Sequence, residues 1–451
     1  MTTIFYNTWL EELDYRTRIK EIPWEGYHRA SLISETDLSL LQAVSGVPKS
    51  KKEQVWNEKT EAYVTLYLRL LSELNRTDCL QAIMVEISDL LNDHDDRVRL
   101  LLDLPEPKQS SAPYSSFTRH LDSSDLYSRS KALSLLSFLL GFSSEPESSV
   151  LAASITGIGK LLASSDSNQQ ELGIECLQHI LRQPIARSAV WAQSADSSSS
   201  DSETSSNAII SRLVDQIRVG NRLSAEVQYR VSFCFWLLTF DKEVASQLNK
   251  RHAAVPILIE LARQAVKEKV IRVLVATLRN LAEKSPEVNL SVLLVAGNLL
   301  PLIQSFSTRK WSDDELKEDI SWLKDQLEEA KRKMTTYDEY SAELESGLLR
   351  WSPTHTSEDF WSQNAEKLNN KDYQQLKVLI RILSEATDPI VLAVAANDLS
   401  KYVKHCEIGK RSAEKLGAKA RVMDLMSHKD PEVKYWALVS VQQLISQPWA
   451  H

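Results

Sequence analysis

The chain has 451 residues, of which 43% are hydrophobic and 25% are charged, so it can build a sizeable core and is not disordered along its whole length. Its formal net charge of -8 excludes the excess of positive charge that captures phosphate backbones, so nucleic acid is not an expected partner. It has 11 glycines where average usage would give roughly 32. Such a glycine-poor chain favours helices over tight-turned sheets.

The beginning of the chain and its apolar stretches bear on the membrane. Residues 1–14 carry acidic side chains and no basic flank before an apolar run, so no secretory signal is predicted there. The longest apolar stretch, 288–303, is interrupted by asparagine, glycine and proline and is too short to cross about 30 Å of hydrocarbon. We therefore expect this chain to reach a membrane only through partners.

Helical spacing recurs from segment to segment. Apolar residues at i, i+3, i+4 and i+7 occur in 376–383 and again in 392–399, which predicts two amphipathic helices. Asp388-Pro389 and Asp430-Pro431 each place a capping carboxylate before a proline suited to the first helical position. Ser285-Pro286 has the same form. No clear strand-like alternation stands out, so the predicted fold class is all-α.

Internal similarity predicts a repeat protein. The segment from Ala253 through Pro256 matches the segment from Gly297 through Pro301, and a degenerate third copy begins at Gly417. A period of about 40 to 47 residues is typical of armadillo and HEAT repeats, whose units stack because none can bury its own apolar face. We therefore predict an armadillo/HEAT-like α-solenoid in two helical domains.

Two breaks interrupt this pattern. Residues 195–207 are rich in serine with acidic residues interspersed, which predicts a disordered loop. The highly charged segment 313–350 allows two interpretations: a solvated helix, or a link between two separately packed domains. The second interpretation gives an N-terminal domain at 1–334 and a smaller C-terminal domain at 335–451, with hinge candidates Lys333, Met334, Thr335 and Thr336.

A search for catalytic and metal-binding patterns predicts neither enzyme activity nor a cofactor. Gly159-Lys160 lacks the upstream glycine and the following Ser/Thr of a phosphate-binding loop. The histidines are dispersed, and the four cysteines lie far apart, as in a reducing compartment. Arg272 and Arg279 either line a groove for an acidic helix or belong to a solvated helix face.

Several motifs resemble one family. The stretch 348–361 contains Trp351-Ser-Pro, His355 and Phe360-Trp361, and it resembles a signature of the H subunit of the vacuolar-type proton-pumping ATPase. The likeness continues in 337–344, 388–398 and 433–438 and, near the N-terminus, in 22–30. It spans nearly the whole chain and is strongest after residue 337.

The resemblance implies a non-catalytic regulatory subunit. Such a subunit is needed to couple ATP hydrolysis to proton transport and inhibits hydrolysis by the detached peripheral sector. The implied partners are the E and G subunits of the peripheral stalk, the cytosolic part of the membrane-embedded a subunit and, in the inhibited state, proteins of the central rotor or catalytic sector. The implied location is cytoplasmic, peripheral on the cytosolic face of the vacuolar membrane or endomembrane. No homo-oligomer is expected.

Six aromatic or acidic residues are candidates for partner contact because aromatic side chains are enriched at interfaces. They are Trp24, Glu25 and Tyr27 in the first domain and Trp351, Phe360 and Trp361 in the second. Staple-like packing at helix ends is the alternative role for Trp24 and Trp351, which lie beside prolines. The alternative function is an armadillo-repeat scaffold or transport adaptor of another system, because repeat packing alone does not distinguish the two.

Overall fold

The computed structural model describes residues 7–103, 113–193, 207–218 and 223–446. Those residues form helices and their connections, with no strand among them, so the predicted all-α class is confirmed. The predicted serine-rich loop at 195–207 lies outside the described residues except for Asn207, which begins a helix.

The chain divides into two compact units, Met1–Asp241 and Lys242–His451. The helices of the first unit are α1 (Thr8–Arg18), α2 (Trp24–Arg29), α3 (Glu35–Val44), α4 (Lys49–Glu58), α5 (Thr60–Glu73), α6 (Thr77–Leu91), α7 (Asp95–Asp103), α8 (Ser115–Thr118), α9 (Leu126–Leu140), α10 (Ser148–Leu162), α11 (Ser167–Ile180), α12 (Pro184–Gln193), α13 (Asn207–Ile217) and α14 (Ala225–Leu238).

The second unit continues with α15 (Lys242–His252), α16 (Ala254–Gln264), α17 (Glu268–Lys284), α18 (Pro286–Leu294), α19 (Leu299–Ser307), α20 (Asp314–Lys333), α21 (Thr336–Ser346), α22 (Pro353–Thr356), α23 (Glu358–Asn364), a 3-10 helix (Ala365–Asn369), α24 (Asn370–Glu385), α25 (Pro389–His405), α26 (Gly409–Lys415), α27 (Ala418–Leu425) and α28 (Pro431–Ile445). The predicted domain boundary after residue 334 lies inside this unit, at the break between α20 and α21, and stays a prediction.

The helix starts follow from local chemistry. Asp388 and Asp430 each accept a backbone N–H of the first turn, from Ile390 and Glu432 respectively, at 2.9 Å, and a proline follows each cap. A carboxylate in this position satisfies an orphan donor and favours the positive end of the helix dipole. Ser285 also precedes a proline-led helix, but its side chain makes no cap hydrogen bond.

The second repeat series has a common backbone feature. Helices α16, α19 and α27 all begin after a residue in the left-handed region: Ala253 (φ 48°), Asn298 (φ 45°) and Gly417 (φ 82°). This conformation is costly for a residue with a Cβ. Its recurrence at the matched positions confirms that the three segments are structural equivalents.

Side-chain hydrogen bonds join equivalent positions one repeat apart. In the first unit, Gln81 Nε2 donates to Asp125 Oδ2 at 3.0 Å across 44 residues of sequence. In the second, Asn289 Nδ2 donates to the Ala245 carbonyl at 2.9 Å, also across 44 residues, and Ser440 Oγ donates to the Ala396 carbonyl across the same separation. A constant separation within the predicted period is what stacked helical repeats require.

Close approach of neighbouring repeats explains why residue 297 is a glycine. A Cβ added at Gly297 would lie 2.1 Å from Ile259 Cδ1, which belongs to the preceding copy of the repeat. No side chain fits there unless Ile259 moves, because interiors are close-packed.

The helix break at 333–336 is short. Helix α20 ends at Lys333 and α21 begins at Thr336, so only Met334 and Thr335 lie between them with extended backbone angles. Thr335 caps α21: the Asp338 N–H donates to Thr335 Oγ1 at 3.2 Å and the Thr335 N–H donates to Asp338 Oδ2 at 3.0 Å. This reciprocal capping box fixes the start of α21.

In the part of the chain that the structure describes, no single helix combines the length and apolar character needed to cross a membrane. The pair α18 and α19, bent by 80° at its break, meets the length and composition criteria jointly.

Candidate functional site

The N-terminal candidates lie at a small aromatic contact. Trp24 and Tyr27 are both 8% exposed, and their ring centroids are 5.7 Å apart. The Tyr27 hydroxyl accepts a hydrogen bond from Cys79 Sγ at 2.9 Å, which ties α2 to α6. Glu25, between them in the sequence, is exposed. Of these three residues, Glu25 is therefore the one that a partner could reach directly.

The C-terminal candidates also divide into buried residues and a more accessible one. Phe360 and Trp361 are buried in the core of the second unit, with ring centroids 5.6 Å apart. Trp351 is half-buried: its ring lies 5.3 Å from that of Trp436, and its Nε1 donates to Glu432 Oε1 at 2.9 Å. Trp351 thus holds the segment before α22 against α28. The role of these residues in partner contact stays a prediction.

The motif around residue 355 forms a buried ionic cluster. His355 Nδ1 lies 2.8 Å from Asp398 Oδ2, and His355 Nε2 lies 3.2 Å from Glu343 Oε2. The carbonyl of His355 accepts hydrogen bonds from Asn397 Nδ2 at 2.9 Å and from Trp361 Nε1 at 3.2 Å. Four helices, α21, α22, α23 and α25, therefore meet at one histidine.

The electrostatics favour a charged imidazole. Burial by itself lowers the pKa of His355, but the two carboxylates outweigh it and raise the pKa to about 10. Burial raises the pKa of Asp398, and the adjacent imidazolium limits that rise. At neutral pH we therefore assign an imidazolium that is hydrogen-bonded to Asp398 through Nδ1 and has the Glu343 carboxylate near Nε2 as a second charge contact.

This cluster has a structural role. The side chains of His355 and Asp398 have no exposed surface, so neither can reach a substrate in this conformation. A buried charge is retained when its partners satisfy it, and here the partners come from helices far apart in sequence. The Tyr340 ring covers the imidazole with a centroid distance of 5.7 Å. The sequence motif is therefore explained by packing around His355.

An apolar surface on the last two helices lies outside the sequence predictions. On α28, Tyr435, Leu438 and Ile445 are 59%, 54% and 58% exposed. Their spacing places them on one face, opposite the buried face. Met423 and Met426 add exposed apolar surface on and just after α27, which packs against α28. We call these five residues the terminal stripe.

A sequence signal for the terminal stripe does exist. Helix α28 carries apolar residues on both faces: Val433, Ala437 and Leu444 are buried, whereas the stripe is exposed. A helix that is apolar all round is normally covered on all sides. Exposed apolar patches commonly mark interaction sites. Among the described residues, no helix covers this outer face, so the stripe is exposed there.

Arg272 and Arg279, for which the sequence allows either a groove for an acidic helix or a solvated helix face, lie against an acidic helix of the same chain. Arg272 Nη1 is 3.0 Å from Asp313 Oδ2, and Arg279 Nη1 is 2.5 Å from Asp319 Oδ1. Helix α20, which begins after Asp313, thus occupies the place considered for an acidic partner.

In the described ranges, no group of three or more histidine, cysteine, aspartate or glutamate side chains is arranged to hold a metal ion. The cysteines at positions 79, 176, 234 and 406 are all free and buried.

The fold and these sites define the class of the protein. It is an armadillo-like α-solenoid in which the principal histidine–carboxylate cluster is sealed and the open feature is an apolar surface, as in repeat proteins that bind other proteins.

The comparisons with known proteins give the family. The H-subunit family of the V-ATPase is described by two models, which match residues 8–327 and 333–449. The chain belongs to this family. The H subunit is a non-catalytic, regulatory component of the V-ATPase.

Individual relatives can be aligned with nearly the full length of this chain. The H subunit of the V-type proton ATPase of Drosophila melanogaster is 31% identical over 444 residues, which cover 97% of this chain and 90% of the relative. The first of two probable H subunits of Caenorhabditis elegans is 28% identical, with 96% and 94% covered. The H subunit of Dictyostelium discoideum is 24% identical, with 98% and 96% covered.

Proposed function

We propose that this chain couples ATP hydrolysis to proton transport in a vacuolar-type ATPase and inhibits hydrolysis by the peripheral sector when that sector is detached. The observation that carries the proposal is the family match, which spans the chain from residue 8 to residue 449. It favours this function over a scaffold or adaptor role in another system.

The partners in this proposal are other proteins of the pump. The E and G subunits of the peripheral stalk would bind the 1–334 domain, and the cytosolic part of the membrane-embedded a subunit would bind the 335–451 domain. In the inhibited state, the second domain would contact central rotor or catalytic-sector proteins instead. The chain would act on the cytosolic face of the vacuolar membrane or endomembrane. The terminal stripe supports a docking role for the C-terminal domain, because exposed apolar surface gains most when it is covered.

The break between α20 and α21 supports a jointed protein. The two family models meet between residues 327 and 333, next to the hinge candidates Lys333, Met334, Thr335 and Thr336. A rotation confined to Met334 would leave both flanking helices intact, because Thr335 already belongs to the capping box of α21. Hinges commonly use a few such residues at the ends of helices.

The first experiment compares ATP-driven proton pumping with ATP hydrolysis on vacuolar-type membranes that lack this chain and then regain it as purified protein. We expect restored pumping on membranes and reduced hydrolysis by the detached peripheral sector. No effect on either activity, with a folded helical protein, would refute the proposed function.

The hinge is tested by a reversible cross-link. Helices α18 and α21 pack against each other, so one cysteine on each can form a disulfide that holds the break closed. All native cysteines are buried and should not interfere. We expect oxidation to separate coupling from inhibition, with both restored by reductant. If the oxidised protein retains both activities, the hinge is not used.

The docking surface is tested by charge insertion. Leu438→Glu places a carboxylate in the middle of the terminal stripe, so we expect loss of pumping while the helical content is unchanged. The matched control is Val266→Glu, because Val266 is 90% exposed but lies away from the stripe in the sequence. Equal effects of the two substitutions would argue against the stripe.

A further inference from the structure

Four hydroxyl side chains in the sequence follow an arginine by three residues. They are Ser72, Ser312, Thr335 and Ser384. Many protein kinases recognise their acceptor by this arrangement, because acidic side chains of the kinase bind a guanidinium at that distance. In Ser312 and Thr335 a lysine follows the arginine directly, in Arg-Lys-Trp-Ser and Arg-Lys-Met-Thr. Access to each hydroxyl in the folded chain decides among these candidates.

Two of the four hydroxyls are held inside helices. Ser72 Oγ donates to the Leu68 carbonyl at 3.0 Å within α5, and Ser384 Oγ donates to the Ile380 carbonyl at 3.0 Å within α24. Each of these serines directly follows two buried apolar residues. A kinase binds its substrate as an extended segment, so modification of either serine would require a packed helix to unwind.

Ser312 is tied to a neighbouring helix. Its N–H and its hydroxyl both donate to Glu268 Oε1, at 2.8 and 2.7 Å, and the N–H of Asp313 donates to the same oxygen at 3.0 Å. The preceding residue, Trp311, donates through Nε1 to the Phe306 carbonyl at 2.8 Å. Modification of Ser312 would break these contacts and place a phosphate against the Glu268 carboxylate.

Thr335 lies in a stretch that contributes no buried side chain to the core. Its side chain is exposed, and so are the three basic residues at 331–333. Leu327 is the last buried residue of α20 and Tyr340 is the first of α21, and none of the residues between them, all of which the structure describes, is buried. The end of α20 can therefore unwind into an extended segment without removing a side chain from the core.

We propose that Thr335 is a phosphorylation site for a protein kinase that recognises Arg332. The Thr335 oxygen attacks the γ-phosphorus of Mg²⁺-bound ATP, the bond from that phosphorus to the bridging oxygen breaks, and ADP leaves with the electron pair. The hydroxyl proton passes to the catalytic aspartate of the kinase. The product carries a charge of about −1.5 to −2 on a side chain that was neutral.

The phosphate conflicts with the capping box of α21. In the unmodified chain Thr335 Oγ1 donates to Asp338 Oδ2 at 2.6 Å, and the N–H of Thr335 donates to the same oxygen at 3.0 Å. Esterification removes the hydroxyl proton and places a dianion beside the Asp338 carboxylate, so the two groups repel. The positive end of the α21 dipole attracts the phosphate, but Asp338 and Glu339 already supply negative charge there.

An open capping box changes the hinge. The flexible link then extends from Met334 alone to Met334 and Thr335, so phosphorylation loosens the break between α20 and α21. This consequence rests on the proposed function, whereas the modification itself is measured on the isolated chain. A chain that is phosphorylated at Thr335 but in its unmodified form restores no pumping would contradict the proposed function and leave the site intact.

The first test treats the full chain with MgATP and the catalytic subunit of cyclic-AMP-dependent protein kinase, which recognises basic residues before its acceptor. Phosphopeptide mass spectrometry at successive times gives the order of modification. We expect Thr335 to be modified first, at least about ten-fold faster than Ser312, whose contacts to Glu268 must break beforehand. Modification first at another hydroxyl, or no incorporation, would overturn the site. This test needs no variant.

Two matched variants locate the charge that the kinase recognises. Arg332→Gln removes the guanidinium three residues before the acceptor, so the initial rate of modification at Thr335 should fall at least about ten-fold. Lys331→Gln removes one positive charge from the adjacent exposed residue and should change that rate by less than about two-fold. Equal losses in the two variants would refute recognition of Arg332.

Phosphorus NMR of the phosphorylated chain tests the effect on the capping box. A pH titration gives the pKa of the phosphothreonine, which a neighbouring negative charge raises. We expect Asp338→Asn to lower this pKa more than the matched variant Glu339→Gln, because Asp338 is the carboxylate that binds Thr335 Oγ1. Equal shifts in the two variants, or no shift in either, would refute the proposed repulsion.

Discussion

The buried imidazolium predicts that the second unit loses stability as the pH rises. In the folded state the pKa of His355 is about 10, whereas an unfolded chain has the usual value of 6.5. The folded state therefore binds the proton more tightly. The stabilisation is fully present below about pH 6.5 and is lost as the pH rises towards 10.

The size of this effect follows from the geometry. A difference between 6.5 and about 10 corresponds to at most roughly 5 kcal/mol, at about 1.4 kcal/mol for each pKa unit. Removal of one member of a buried ion pair costs about 3–5 kcal/mol. The pKa difference and the cost of removing one partner can both be used without a correction for solvent screening, because the side chains of His355 and Asp398 have no exposed surface. We therefore expect His355→Gln to destabilise the region around α25 by about 3 kcal/mol or more at pH 7.

The assay is amide hydrogen exchange read by mass spectrometry and corrected for the intrinsic rate at each pH. It gives opening free energies for separate segments, which suits a chain whose two units need not unfold together. Peptides from α25 report on the pair, and peptides from α9 in the first unit serve as the internal reference. In the unaltered protein, the protection of α25 should fall between pH 6.5 and 10.

Two controls make the interpretation specific. His355→Gln should abolish the additional fall in protection, because no proton is then bound. His405→Gln changes a histidine at the end of the same helix that contacts the partly exposed Glu358, so it should cost no more than about 1 kcal/mol. If the pH dependence of α25 in the unaltered protein matches that in His355→Gln, the assignment of a buried imidazolium is wrong.

Three further predictions concern packing. Asn289→Leu removes the side-chain donor that the carbonyls of Ala245 and Leu281 share. We expect the free energy of unfolding, measured by urea titration, to fall by about 2–4 kcal/mol. A loss below about 0.5 kcal/mol would contradict this. Gly297→Ala should cost about 1–3 kcal/mol and should be partly rescued by Ile259→Ala in a double-mutant cycle, whereas strict additivity would refute the proposed clash. Burial raises the thiol pKa of Cys79, Cys176 and Cys234, to about 11 in Cys79. At about pH 8 the native protein should therefore react slowly with a thiol reagent, whereas the unfolded chain should react fully. Rapid labelling of these thiols in the native protein would refute their burial.

Much of the candidate surface could not be predicted from aromatic residues alone. Trp24 and Trp361 are buried, whereas Tyr435 is exposed, although all three are aromatic residues of helices. The sequence pattern of a helix gives the spacing of its apolar side chains but not which side another helix will cover. Similarly, one of two interpretations pairs Arg272 and Arg279 with an acidic helix, but only the tertiary structure identifies that helix as α20.

The sequence by itself determined the helices, their starts and the repeat, because these depend on interactions within a few residues and on a period that the chain displays directly. Asp388 and Asp430 cap their helices through contacts that span two residues. Tertiary structure decided what meets across the repeats, including the pair of His355 with Asp398 43 residues later. It also decided which apolar face remains open. Burial is a property of neighbours: among the described residues no helix packs over the outer face of α28, so Tyr435 and Leu438 are exposed although they are apolar.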